Sequence, residues 1–463
     1  MIFIGKSNEP VAINEQREIF SYADVNRIIA TVCEKVPSRS LVFCLCTNSF
    51  GALSGYMAFI NQRIVPVMLD AKTDRELLKN LLSKYKPSFV WTPHNKSDDF
   101  DGWKPLISVY DYVLLKNPAQ IYHTIHEDLA LLLTTSGSTG SPKFTRISYQ
   151  NLQSNAESII NYLKIDYKER PITSLPLHYS FGLSVINSHL LCGATILLTS
   201  HGIMEKDFWT FLKDEKASSL SGVPYTYEML KRLRFFRMDL PSLKTLTQAG
   251  GKLNTELCRE FAEYAQSTGK QFIVMYGQTE ATARMSYLPP KQAVSKAGSI
   301  GIAIPGGKFS LADENQQPVE NSGQTGELVY QGPNVSLGYA ESAEDLAKGD
   351  ENRGILYTGD LAQRDDDGYY YIVGRKKRFI KLFGNRINLD ETESVLKSQC
   401  KDCACVGTDD KMIIYITEKG KEDEVKQLIA TKTNIHFSVF DVRYIISIPK
   451  NSSGKTIYTE LAL

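Results

Sequence analysis

TTSGSTGSPK, running from Thr134 to Lys143, follows directly on the apolar stretch Leu129–Leu133. Apolar residues bounded by small and hydroxylated ones read as a buried strand that empties into a loop. Glycines permit the φ > 0 turns that aim backbone N–H groups at an anion, hydroxyls add neutral donors, and a terminal lysine adds charge. The order predicts a strand feeding a phosphate-handling loop. A Walker A loop is a different pattern, with Gly-Lys-Ser/Thr together at the start of a helix; here Ser141 and Pro142 separate Gly140 from Lys143. Standing alone, such a run would read as a flexible Ser/Gly loop.

Outward from the loop, helix and strand patterns alternate. Helices are expected at Tyr22–Cys33, Phe50–Ile60, Asn151–Leu163 and Ser184–Leu191, with strands at Leu41–Cys46, Val65–Leu69, Ile172–Leu175 and Thr195–Thr199. This alternation argues for α/β layers with parallel strands. After Tyr276 shorter strands divided by Gly, Pro and Asn indicate a β-rich subregion. From about Gly374 the pattern restarts with a basic run, a helix at Leu389–Ser398, strands at Cys403–Gly407 and Lys411–Thr417, and a helix at Glu422–Thr431.

Composition narrows the function classes. Lys and Arg total 53 against 52 Asp and Glu, a formal charge of +1, so no basic field argues for nucleic acid. No apolar run approaches the ~18 residues of a membrane span. A signal peptide's apolar segment and cleavage site are also missing from the first residues, so a cytoplasmic protein is expected. Eight scattered cysteines suggest reduced thiols. Cys400, Cys403 and Cys405 invite a metal reading, but lack a second Cys/His pair at zinc spacing and run into a strand.

The phosphate loop and five further motifs resemble those of the acyl-adenylate-forming superfamily of acyl-CoA synthetases, peptide-synthetase adenylation domains and luciferases. They are YGQTEA (276–281), GELVYQGPNVSLGY (326–339), YTGD (357–360), GRKKRFIKLFGNRI (374–387) and PKNSSGK (449–455), all in the family's order. The resemblance implies an α/β fold: a large N-terminal body of layered mixed β-sheets with helices and a small β-rich subdomain, residues 1–376, then a small mobile α+β cap, residues 377–463. It places the active site in the cleft between them. With no carrier module after Lys455, a stand-alone activating enzyme is expected.

The chemistry so implied is ATP-dependent activation of a carboxylic acid to an acyl-adenylate with release of pyrophosphate, then transfer to the thiol of CoA. Transfer to the phosphopantetheine of a free-standing acyl carrier protein is the alternative, and a non-catalytic nucleotide-binding protein the third reading. An anion must approach a polyanion, so cations and oriented donors have to dominate the site. By resemblance Thr135, Ser136, Gly137, Ser138, Thr139, Gly140 and Lys143 hold the phosphates. Tyr276 and Gly277 lie near adenine, Thr279 near the α-phosphate, and Glu280 is the Mg²⁺ ligand, a single carboxylate being enough beside phosphate oxygens and waters. Asp360 and Arg375 are expected at the ribose, Lys377 at the interdomain hinge, with Gly384 and Arg386 on a loop facing the main domain in the second pose. Lys455 is expected to be the mobile lysine that meets the carboxylate and α-phosphate.

His178, in LPLHYSFG, is either a structural histidine or a border of the acyl pocket with Gly222, Tyr225, Ala249 and Gly250. A histidine where amino-acid-activating relatives place Asp argues for an acid without an α-amino group. The short N-terminal body favours a small or medium acid. Three residues depart from the family pattern: Phe144 for Gly, Tyr149 for the usual His, and Tyr458 for the usual basic residue. Asp365, Asp366 and Asp367, before Gly368, read as a solvated hairpin turn and not as a metal cluster.

Overall fold

The computed structural model describes residues 7–119, 121–134, 143–376, 378–382, 385–397, 399–408, 411–433, 435–451 and 454–461. They form two compact units. The first takes in the described residues up to 308 together with 331–356, and the second takes in 309–330 and 357–461.

The first unit is built on an eight-stranded mixed sheet. Its order is Tyr339–Ala340, Phe144–Ser148, Leu129–Thr134, Val65–Asp70, Leu41–Cys46, Phe89–Pro93, Tyr112–Lys116 and Lys104–Val109. The strand Leu41–Cys46 is buried throughout: Leu41, Phe43 and Leu45 enter one hydrophobic cluster, and Val42, Cys44 and Cys46 another. Period-two alternation thus covers both faces, as parallel strands require. The helix Phe50–Asn61 is apolar on all sides and buried from Phe50 to Ile60. Its Gly55 lets the Trp91 indole approach, since a Cβ there would stand 2.3 Å from Nε1, and that nitrogen donates to the Gly51 carbonyl at 2.9 Å. A mid-helix glycine costs about 1 kcal/mol, less than the ~4 kcal/mol that burying an indole contributes.

A second sheet in this unit runs Ser219–Gly222, Thr245–Gln248, Gln271–Tyr276, Ser286–Tyr287 and Ile302–Ala303. The first three strands are parallel, with Gly222 beside Gln248 and Gln248 beside Val274. Their carboxyl ends therefore lie side by side, where open α/β sheets bind ligands.

Expected elements recur with small shifts: Tyr22–Lys35, Leu41–Cys46, Phe50–Asn61, Val65–Asp70, Tyr149–Leu163, Ser180–Leu191 and Ile196–Leu198. The strand expected over Ile172–Leu175 does not form. Only isolated bridges from Pro171 to Ser219 and from Ile172 to Leu197 remain. Beyond them the Asn48 amide donates to the carbonyls of Thr173 and Leu175, which removes the acceptors a further ladder would need.

In the second unit the strands Ile355–Arg364 and Tyr370–Arg375 pair as a hairpin. Its turn uses Asp365 as a cap, Oδ1 accepting from the amides of Asp367 and Tyr369, while Gly368 has φ 85°. Further along, Cys403–Thr408, Lys411–Ile416 and Phe440–Tyr444 form a three-stranded sheet packed with the helices Leu389–Leu396 and Glu422–Thr433. Cys400, Cys403 and Cys405 are buried free thiols of that core, and burial pushes the Cys403 thiol up to about 12.

Candidate active site

Three consecutive residues assemble the site of the first unit. His178 stands with Nε2 3.8 Å from Asp70 Oδ2 at the end of the strand Val65–Asp70. The Tyr179 hydroxyl lies where a Cβ on Gly250 would come within 2.6 Å, and Gly250 itself has φ 84°. Ser180 Oγ, at the start of the helix Ser180–Leu191, is 3.1 Å from Thr279 Oγ1. One short segment thus touches a strand end of the first sheet and two strand-end loops of the second. The sequence reading singled out His178 and passed over Asp70, Tyr179 and Ser180.

Burial lowers the pKa of His178, against the pull of the Asp70 carboxylate. Its Nδ1 is buried without a hydrogen-bond partner among the described residues. The imidazole is therefore held towards its neutral form beside an acid.

The segment 276–284 is pinned from several sides. A Cβ at Gly277 would lie 1.6 Å from the Ala283 carbonyl oxygen and 2.9 Å from the Arg284 Cα. Thr282 and Ala283 both adopt positive φ, 55° and 89°, a conformation that L side chains rarely take and that the surroundings must impose. Asn334 supplies much of that constraint: its Nδ2 donates to the carbonyls of Ala281 and Arg284, and its own carbonyl accepts from Thr282 Oγ1. Asn155 Nδ2 donates to Arg284 O as well.

Glu280 meets the tyrosine that closes GPNVSLGY. Tyr339 Oη donates to Glu280 Oε1 at 2.7 Å, and Lys143 Nζ sits 3.6 Å from the centroid of the same ring. One phenol links the acid expected to hold a metal with the lysine expected to follow phosphate. Burial and the Glu280 carboxylate push the Tyr339 hydroxyl well above its ordinary value, so it remains a donor. Fully buried Arg146 fixes this edge, donating to the carbonyls of Leu337, Tyr339, Lys348 and Gly349 and pairing with Glu351. Replacing Tyr339 with Phe keeps the ring under Lys143 and removes only the bond to Glu280. We expect the Mg²⁺ concentration for half-maximal pyrophosphate exchange to rise about tenfold, the usual cost of losing an orienting bond behind a metal ligand; an unchanged Mg²⁺ profile would detach Glu280 from the metal.

Of the residues expected in the acyl pocket, Ala249 packs in one buried cluster with Phe181, Val185, Val223 and Met275. Gly222 ends its strand under Thr226, which a Cβ would approach to 2.7 Å. Tyr225 stands apart, 50% exposed. Thr135, Ser136, Gly137, Ser138, Thr139, Gly140, Lys377 and Gly384 lie outside the described residues, and of Arg386 only the backbone is described.

The second unit holds the remaining candidates. Asp360 and Arg375 face one another across the hairpin register, with Nε 3.1 Å from Oδ1; the aspartate is almost fully buried and the arginine largely exposed. Asp360 N also donates to Thr358 Oγ1. Lys455 lies in a turn closed by Asn451, whose Oδ1 accepts from the Lys455 amide at 2.9 Å and whose own amide donates to the Lys455 carbonyl. Tyr458 takes a definite place: the Arg378 guanidinium lies 3.7 Å over its ring, and its hydroxyl donates to Glu393 Oε2 at 3.0 Å. Arg378 also pairs with Asp390 and Glu393. An aromatic thus docks the last turn where the family pattern has a basic residue.

His189, on the helix Ser180–Leu191, is buried with Nδ1 donating to the Val185 carbonyl at 2.8 Å. Burial, aided by the cation of Arg284, depresses it to about 4. A histidine whose folded pKa lies below its unfolded value stabilises the fold above pH 6.5, and that stability is lost as pH falls towards 4. We expect denaturant-measured stability of the first unit to fall by ~1.4 kcal/mol per pH unit across that window on account of His189, and the His189→Asn variant to flatten the slope. An unaltered slope in the variant would assign it elsewhere.

Residues 21–340 match the model of the AMP-binding enzyme family, and the chain belongs to that family, part of the acyl-adenylate-forming superfamily its motifs resemble. Among curated relatives, a probable CoA ligase of Humulus lupulus is 26% identical over 446 residues, 91% of this chain and 80% of that protein. A luciferin 4-monooxygenase of Nipponoluciola cruciata is 27% identical over 345 residues, 71% of this chain and only 62% of that protein. In fold the chain is similar to O-succinylbenzoate coenzyme A synthetase from Bacillus subtilis in complex with AMP, at TM-score 0.79 and 21% identity over 98% of this chain and 96% of that one. ATP-bound MatB from Rhodopseudomonas palustris gives 0.80 and 20% over 99% and 96%. Among the described residues no helix is long and apolar enough to cross a membrane.

Proposed function

We propose that the protein activates a carboxylic acid with ATP, forming an acyl-adenylate and pyrophosphate, and passes the acyl group to the thiol of CoA. The observation that carries this reading is the convergence of Thr279, Glu280, Lys143 and the segment 178–180 beside parallel strand ends in the first unit. Such an arrangement places a cation, an acid and neutral hydroxyls together, the set that phosphoryl chemistry needs. CoA as acceptor is supported by the CoA ligases among the relatives; a carrier-protein phosphopantetheine is the competing acceptor.

In this reading Lys143 and the loop 135–140 bind the phosphates, Tyr276 and Gly277 border adenine, Asp360 and Arg375 bind the ribose, and Lys455 offsets charge between the reacting anions. His178, Gly222, Tyr225, Ala249 and Gly250 border the acid. Residues 377–463 act as a mobile cap hinged at Lys377. Glu280 suits Mg²⁺: its carboxylate is partly exposed and accepts one phenolic bond at Oε1, and Mg²⁺ asks the protein for only one or two carboxylates beside phosphate oxygens and water. Bound there, the ion would neutralise charge on the phosphates.

The test is pyrophosphate release from ATP and Mg²⁺ over a panel of short, medium, aromatic and hydroxy acids, with and without CoA. Release stimulated by CoA for one acid class supports the reading. Exchange that CoA leaves unchanged points to a carrier protein, and no acid-dependent release at all would overturn adenylation.

A further inference from the structure

Two arginines of the first unit are fully buried, and they differ in how their charge is met. Arg146 has four backbone carbonyls and the Glu351 carboxylate. Arg284 has much less: Nε donates to Ser184 Oγ at 3.0 Å, and Nη1 to Tyr162 Oη at 3.2 Å and to the Met275 thioether at 3.4 Å. Its guanidinium carbon lies 5.0 Å from the Phe181 ring centroid. Among the described residues no carboxylate pairs with it, and its hydrogen bonds to protein atoms all run from Nε and Nη1, none from Nη2. Two hydroxyls, a sulfur and a ring are a poor exchange for the water that a guanidinium gives up on burial; buried charges are ordinarily paired.

The surroundings say what the missing acceptor could be. Phe181 and Met275, which touch the guanidinium, belong to the same buried cluster as Val223 and Ala249, and the Tyr179 hydroxyl beside Gly250 comes from the next residue along from His178. The arginine therefore stands in the wall of the proposed acid site, and its backbone is held there by Asn155 and Asn334. A planar fork with a free edge matches a carboxylate or another oxyanion bidentately. We propose that Arg284 is a specificity-determining residue and that the acid this enzyme activates carries a second anionic group, which pairs with the guanidinium while the first carboxyl reacts. This inference rests on the adenylation reading above.

Acid-dependent ATP–pyrophosphate exchange with matched pairs provides the test: pentanoate and glutarate, hexanoate and adipate, benzoate and isophthalate. For at least one pair the wild type should favour the diacid by ~100-fold or more in kcat/KM, since a site built to pair a polar group rejects the analogue that lacks it. Arg284→Met should abolish that preference, and Arg284→Lys should restore part of it. Equal use of monoacids and diacids by the wild type overturns the proposal, as does an Arg284→Met variant that loses both alike. If that variant does not fold, the wild-type comparison still decides. If no acid supports exchange, the adenylation reading is what has failed. Saturation-transfer NMR with isophthalate and benzoate then decides the arginine's role separately: selective isophthalate binding lost in Arg284→Lys and Arg284→Met supports it, and equal binding overturns it.

Discussion

Lys455→Ala is expected to lower the rate of acyl-adenylate formation by about 10²–10³-fold, the range seen when one preorganised donor is removed from a developing charge. The reaction drives a carboxylate onto a phosphate already carrying negative charge, so a cation placed between them acts on the barrier more than on binding. KM for ATP should change little, because in the proposed reading Lys143 still meets the phosphates. Asn451 holds the turn through the backbone amide and carbonyl of Lys455, and Tyr458 is anchored by Arg378 and Glu393, so trimming the lysine side chain removes none of those bonds. Quenched-flow measurement of adenylate, with a melting curve alongside, gives the result. Turnover within threefold of wild type would remove Lys455 from the chemistry.

Gly277→Ala should have an effect of similar size by a different route. The added methyl would lie 1.6 Å from the Ala283 carbonyl oxygen, a backbone atom that cannot rotate away. Either the strand end at Tyr276 or the segment 282–284 has to move. The latter is held by Asn334 and Asn155, so strain is shared among bonds that otherwise fix Thr279 and Glu280. Overpacking of a tight core costs about 1–3 kcal/mol, and displacing catalytic groups by an ångström costs ~10²-fold in rate. The expected variant is folded, melts several degrees lower and exchanges pyrophosphate at least 100-fold more slowly. Near-normal exchange would mean that the loop tolerates a second conformation.

Sequence patterning located the elements whose cause is local. Leu41–Cys46 is apolar and rich in strand formers, and its boundaries coincide with the expectation; the helix from Asn151 was foreseen two residues short, because Ser148 caps it through Asn151. Ile172–Leu175 has a strand's composition, yet Asn48, far away in sequence, takes its carbonyls. The site divides the same way. Lys143, Thr279, Glu280 and Asp360 were singled out as candidates because each lies in a motif, which is a local mark. Ser180 and Asp70 were not, because their part depends on which strand ends become neighbours. Arg284 carries no local mark of burial: in ATARMSY it resembles any surface arginine, and only the two positive-φ residues before it and the asparagines around it turn it inward.

The distribution of thiols has a practical consequence. Cys33 is exposed and Cys192 partly so, whereas Cys44, Cys46 and Cys258 are buried in the first unit and Cys400, Cys403 and Cys405 in the second. Burial raises the pKa of Cys46, Cys403 and Cys405, so few thiolates are available until the chain around them opens. A maleimide dye therefore finds Cys33 as a native labelling handle. The slower reaction of the others, read peptide by peptide in a mass spectrometer, times the opening of each unit with no engineered reporter.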